Sequence, residues 1–134
     1  LIVGTGGGTM TLSGVHFNDG NSGGNDGGAL YIFSSALVSL QGCKLSSNHA
    51  GSGGGINARD SGTTVNLYTT SFDGNTATNG GDIYLKYSGC SVTVHSTCPP
   101  DWSGTPAAGS DLDTYNYPLD PGTISGTTKS FDIG

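Results

Sequence analysis

Positive charge is scarce in this sequence. Only four of its 134 residues are Lys or Arg (Lys44, Arg59, Lys86 and Lys129), against ten acidic residues, for a net charge of −6. Four scattered cations cannot build the basic stripe that a phosphate backbone requires, so nucleic acid is not expected as a partner. The same scarcity argues against anionic membrane surfaces. Long apolar runs are lacking too. No segment approaches the ~20 apolar residues of a membrane-spanning helix, and membrane insertion is not expected.

Helical signals are missing as well. The glycine runs at 22–28 and 51–55 would break any helix laid across them. Charged residues make up 10% of the chain and Gly supplies 25 positions, a composition that on its own reads as disordered low-complexity material. Disorder, however, has no apolar periodicity, and here there is one.

A unit of about 27 residues recurs. Leu12, Leu40, Leu67 and Val94 are spaced 28, 27 and 27; Phe17, Leu45 and Phe72 are spaced 28 and 27; Leu30, Ile56 and Ile83 are spaced 26 and 27. Residues 18–29 therefore carry two extra residues relative to the later copies. Each copy holds three short alternating stretches, as in Val65-x-Leu67, Thr70-x-Phe72 and Ile83-x-Leu85. Alternation with period two puts these residues on one face of a strand. Gly, Asn, Asp and Ser fill the intervals, where turns are expected.

Three short strands per repeat, each seeking its own copy one repeat along, describe a coil. The expected fold is all-β: a right-handed parallel β-helix of about four coils over residues 1–98, with inward side chains stacked in columns. A β-sandwich is the alternative. Residues 99–134 contain all five Pro and the only Trp, Trp102, and are expected to form an irregular C-terminal strap or cap. Alternation returns at Ile124, Phe131 and Ile133, where one terminal strand is expected.

Three sets of site residues follow. Asn21, Asn48 and Asn75, spaced 27 and 27, are expected as a structural ladder with hydrogen-bonded amides, or else as turn residues. Cys90 and Cys98 are expected to form a local disulfide, provided the chain bends between them. Cys43 falls in an inward column and is expected to be a buried free thiol. Leu1, Ile2 and Val3 begin a strand at one open end, and Ile124, Phe131 and Ile133 offer one near the other. These six residues are the expected assembly contacts, with subunits stacked head to tail.

Other chemistry has an ordinary explanation. Asp19, Asp26, Asp60, Asp73 and Asp82 would suit glycoside hydrolysis or Ca²⁺ if paired, but Asp beside Gly and Asn is what turns require. His16, His49 and His95 share no column, so no metal site is expected. No catalytic residue and no cofactor is expected. Outward Tyr31, Tyr68, Tyr84 and Tyr87 would offer rings to surface glycans.

The run Phe72-Asp-Gly-Asn75-Thr-Ala77-Thr-Asn-Gly80-Gly81-Asp-Ile83 resembles the F-x-x-N-x-A-x-x-G-G-x-I motif of the polymorphic outer-membrane protein repeat. Leu45 to Ile56 matches it with Leu for Phe, and the copy from Phe17 departs through its longer loop. The resemblance covers roughly residues 1–98. It implies a parallel β-helix used as an adhesin or a surface stalk, without shared catalytic residues. With the low Lys content and the possible Cys pair, it points to an extracellular or cell-surface structural protein. A glycan-binding adhesin is the alternative, and a polysaccharide-acting enzyme a more remote one.

Overall fold

A computed structural model describes residues 1–4, 6–87 and 90–94, together with the backbones of 112–114 and 129–132. Every element in these residues is a strand, and the strands stack as a parallel β-solenoid of about 3 turns, slightly fewer than the four expected. β1 (Ile2–Gly4) precedes the first coil, which contains β2 (Thr9–Ser13), β3 (His16–Asn18) and β4 (Leu30–Phe33). The second holds β5 (Leu37–Gln41), β6 (Lys44–Ser46), β7 (His49–Ser52) and β8 (Ile56–Ala58). The third holds β9 (Thr64–Tyr68), β10 (Ser71–Asp73), β11 (Thr76–Asn79) and β12 (Ile83–Leu85). β13 (Ser91–Val94) begins another turn, and β14 (Leu112–Thr114) and β15 (Lys129–Asp132) follow.

Register follows the alternating apolar positions. Met10, Val38, Val65 and Val92 pair in sequence across β2, β5, β9 and β13, and Leu12, Leu40 and Leu67 do so two residues on. Phe17, Leu45 and Phe72 pair across β3, β6 and β10. Leu30, Ile56 and Ile83 pair across β4, β8 and β12. A slip of one residue would turn each of these columns outward, so burial of one face fixes the register. Val38, Leu40, Leu45, Ile56, Val65, Leu67, Ile83 and Val92 are fully buried. Burial of each such side chain contributes about 1.5–3 kcal/mol before chain entropy is subtracted.

Each coil also carries a fourth side. Between its second and third main strands the chain runs out and returns, and β7 and β11 pair in parallel along these arms. Glycine makes the return close enough. A Cβ on Gly28 would collide with the Gly54 carbonyl and meet the His49 backbone, and one on Gly54 would meet the Thr76 backbone of the next coil. In the first coil the arm is longer. Asn21 is in register with His49 and Asp26 with Ser52. The offset thus falls from 28 to 26, which places both extra residues within 22–25.

The segment after Cys98 supplies strands. β14 extends the β1–β4–β8–β12 sheet in parallel, with Leu112 opposite Ile83. β15 pairs antiparallel with β13, Val92 opposite Phe131. Besides the terminal strand expected there, the strap holds Leu112-x-Thr114 as a further copy of the third-strand stretch. The terminal strand expected near Phe131 lies on the chain's own last coil.

Candidate functional site

The ladder is built from two asparagines. Asn48 and Asn75 are buried, and Asn48 Nδ2 donates to Asn75 Oδ1 at 2.8 Å. The Asn48 backbone N–H donates to the same oxygen at 3.0 Å. Each amide also reaches one coil toward the N-terminus, Asn48 Nδ2 to the Phe17 carbonyl and Asn75 Nδ2 to that of Leu45. Asn75 Nδ2 donates further to the buried carboxylate of Asp82, at 2.8 Å. The ladder thus adds a side-chain donor to the carbonyl of the central residue of each second strand and bridges the bend that follows it.

Asn21 is not a rung. It is exposed, and its Oδ1 accepts from the Gly23 backbone N–H at 2.7 Å in a local turn. The rung position in the first coil belongs to Gly20, whose backbone N–H donates to Asn48 Oδ1 at 2.9 Å. Leu12 to Leu40 and Phe17 to Leu45 are both 28 apart, so the equivalent of Asn48 is residue 20. The shared residue type points to Asn21, whereas the 28-residue spacing of this coil points to residue 20. A Cβ at Gly20 would collide with the Gly28 carbonyl and crowd Asn48 Oδ1, so the arm's return excludes an asparagine there.

Cys90 carries a free, fully buried thiol, which contacts the Asp60 carbonyl at 3.3 Å and that of Ala58 at 3.7 Å. No disulfide is formed at Cys90, and Cys98 lies outside the described residues. The reason is register: Ser91 pairs with Thr64, which places Cys90 in an inward column after Ala36 and Thr63. Burial pushes the Cys90 thiol above its ordinary pKa. Cys43 is also free and buried; its sulfur contacts the Leu12 carbonyl at 3.4 Å. Thr70, in register with it one coil along, bonds the Leu40 carbonyl in the same way.

The carboxylates sit in separate structural contacts. Asp73 pairs with Lys44 at 3.7 Å on the surface, Asp26 with Lys86 at 3.4 Å and Asp60 with Arg59 at 3.3 Å. Asp82 ends the ladder. Asp19 takes a positive φ of 56° beside the arm, as a turn residue does. His16 and His49 bond Ser46 and Thr76; His95 lies outside the described residues.

The tyrosines do not form one platform. Tyr84 is buried, Tyr31 is half-buried against Phe33 with ring centroids 5.2 Å apart, and Tyr68 is half-buried on another sheet. Tyr87 is exposed, and Arg59 and Lys86 approach its ring to 5.6 and 6.0 Å. The Tyr31 hydroxyl accepts from Arg59 Nη1 at 2.8 Å.

The most unusual surface is the N-terminal end. Met10, Leu12, Val15 and Phe17 are only partly buried, whereas the residues above them in the same columns are 0–5% exposed. Val3 is buried, but Leu1 and Ile2 are 56% and 72% exposed. No charged side chain occurs in β1, β2 or β3, although Lys and Pro are the usual guards of an open strand edge. At the opposite end, Phe131 belongs to β15; Ile124 and Ile133 lie outside the described residues.

The chain matches no known protein family, no curated protein and no solved structure. The functional reading therefore rests on the coil stack itself.

Proposed function

We propose that this chain is a non-enzymatic structural module of an extracellular surface stalk or fibre, assembled by end-to-end contact between β-helices. One observation carries the reading: the stack exposes the ends of its own apolar columns at Met10, Leu12, Val15 and Phe17, beside strand edges without charge. An apolar end of this kind favours a covering partner. The resemblance to polymorphic outer-membrane protein repeats supports the same reading. Phe72 and Asn75 of the motif are buried as column and rung, and Gly80–Gly81 make the arm's return. The candidate carboxylates are tied up separately in ion pairs, a turn and the ladder, which favours a structural role over hydrolysis. The low Lys and Arg content supports an extracellular location. The sequence assigned the tail-side contact to residues 123–133; because Lys129–Asp132 lie on β13, the N-terminal end is the contact surface we propose. Immunogold electron microscopy of native material decides the matter. Labelled stalks, sheaths or fibres are expected, and label confined to soluble monomers would overturn the reading.

A second reading, a glycan-binding module, draws on Tyr87, whose exposed ring is flanked by Arg59 and Lys86. A glycan array probed with the native chain and with Tyr87→Ala tests it. Binding lost in the variant would favour this reading.

A further inference from the structure

We infer that the side of the stack formed by the third strands binds a neutral glycan, on a patch made by Tyr87, Arg59, Lys86, Tyr31 and Asp26. The inference rests on the glycan-binding reading above and names the class of sugar. It asks nothing of the ends of the stack, so a stalk module can carry the site on its flank. Three observations lead to it.

The first is register. Arg59 and Lys86 each follow the third strand of their coil, and their backbone N–H groups donate to Ile32 and Ala58 of the coil before. They therefore stand one above the other at the strand spacing of about 4.8 Å. Two of the chain's four cations are thus placed beside one ring. Arg59 Cζ lies 5.6 Å and Lys86 Nζ 6.0 Å from the centre of Tyr87, the only exposed aromatic among the described residues.

The second is unspent hydrogen-bonding capacity. The contacts of Arg59 Nε with Asp60 at 3.3 Å and of Lys86 Nζ with Asp26 at 3.4 Å are longer than the about 2.7–2.9 Å of a tight charged pair. Arg59 Nη2 and Asp26 Oδ1 have no partner among the described residues. The Tyr31 hydroxyl accepts from Arg59 Nη1 and keeps its own proton to donate. In the row between Tyr31 and Tyr84, Asn57 is fully buried and its Oδ1 has no donor. A buried acceptor without a partner is rare in a native fold. Donors and acceptors thus stand side by side around an exposed ring. Sugar hydroxyls both donate and accept, and the C–H face of a pyranose rests on an aromatic ring.

The third observation is charge, which decides the class. Arg59 and Lys86 are balanced by Asp60 and Asp26 within the patch, and the chain as a whole carries −6. An acidic sugar would bring a further negative charge beside both carboxylates, whereas a neutral one meets no repulsion.

The test uses the 134-residue chain on an array that holds neutral, uronate-rich and sulfated oligosaccharides, followed by calorimetric titration with the strongest binder. Neutral oligosaccharides should bind, with an affinity that does not fall as salt is raised. Tyr87→Ala should weaken that binding roughly tenfold or more, and Arg59→Gln should weaken it too. Tyr68→Ala, on another sheet, should leave it unchanged, and circular dichroism shows whether each variant is folded. Should Arg59→Gln fail to fold, Tyr87→Ala decides, since its ring is exposed. Binding confined to acidic oligosaccharides would overturn the neutral class and leave the glycan reading standing. Neutral binding that survives Tyr87→Ala would overturn the patch. No binding to any sugar on the array would overturn the glycan reading and this inference together.

Discussion

Asn48 Nδ2 donates to Asn75 Oδ1 at 2.8 Å, and the Asn48 backbone N–H shares the same acceptor. One side chain thus ties two coils at a bend where strand pairing has lapsed. Asn75→Leu removes the acceptor shared by the Asn48 backbone N–H and Nδ2 and leaves those buried donors short of a partner. Chemical denaturation should show a loss of about 1–3 kcal/mol. Asn21→Ala should stay within about 0.5 kcal/mol, because its amide bonds only its own exposed turn. Equal losses in the two variants would refute the two-rung ladder.

The ladder shows which parts of the molecule the sequence could disclose. Columns such as Leu12, Leu40 and Leu67 were legible because burial of one strand face imposes a two-residue period, and stacking repeats it every coil. Asn48 and Asn75 were legible because the repeat between them is regular. Asn21 was misassigned because an identical residue stood one position away from the true equivalent, Gly20. A glycine that matters for its missing side chain gives no positive signal in a pattern search. The free thiol of Cys90 was hidden for another reason: proximity to Cys98 along the chain says nothing about which way register points a side chain. The placement of β14 depended on a match of only two residues.

Glycine positions should separate cleanly by environment. Gly54→Ala forces a Cβ against the backbone of Thr76 and should cost about 1–3 kcal/mol through overpacking. Gly24 lies in the longer arm with open space around it and no positive φ. Gly24→Ala should be neutral or stabilise by up to about 1 kcal/mol by restricting the unfolded chain. Thermal melts of the two variants beside the native chain give the comparison, and a similar loss in both would count against the pinched arm.

Asp73 and Asp82 belong to one repeat but should respond differently. Asp73 forms an exposed pair with Lys44, with side chains 72% and 48% exposed, and Asp73→Ala should change stability by no more than about 1 kcal/mol. Asp82→Ala removes the carboxylate that receives Asn75 Nδ2 inside the protein and should cost about 1–3 kcal/mol. Neither substitution should abolish a sugar-cleaving reaction. Product analysis with acidic polysaccharides would show otherwise if either variant lost a measured activity.

Cys90 gives the fold an alkaline limit. Its folded pKa is raised chiefly by burial, so the native state holds the thiol proton to higher pH than the unfolded chain does. Above the ordinary thiol pKa the unfolded state binds fewer protons, and stability falls as pH rises. The fall begins at the ordinary value and ends once the pH passes the raised one. Cys90→Ala should remove this contribution, so its melting temperature should decline less than that of the native chain across the same alkaline range. Parallel slopes would mean that the thiol is not the group responsible.

Removing residues 123–134 should unmask the second edge. β15 covers β13 in antiparallel register from Ser91 to Val94, and among the described residues it is the one strand that runs against the stack. Its antiparallel direction matters, because a parallel strand would be another repeat and would present the same edge again. The strand also brings Lys129 and Asp132, charges of the kind that guard a sheet edge. Without it, the edge of β13 is left open from Ser91 to Val94. The three coils below should survive, since their columns are completed by one another and not by β15. The truncated chain should therefore keep its β-type circular dichroism yet expose the edge of β13. The uncovered edge offers unpaired backbone groups to another copy, so self-association should increase. Light scattering and electron microscopy of the truncated chain test this. A truncated chain that stays at the same mass as the native one would show that β15 is not what limits assembly.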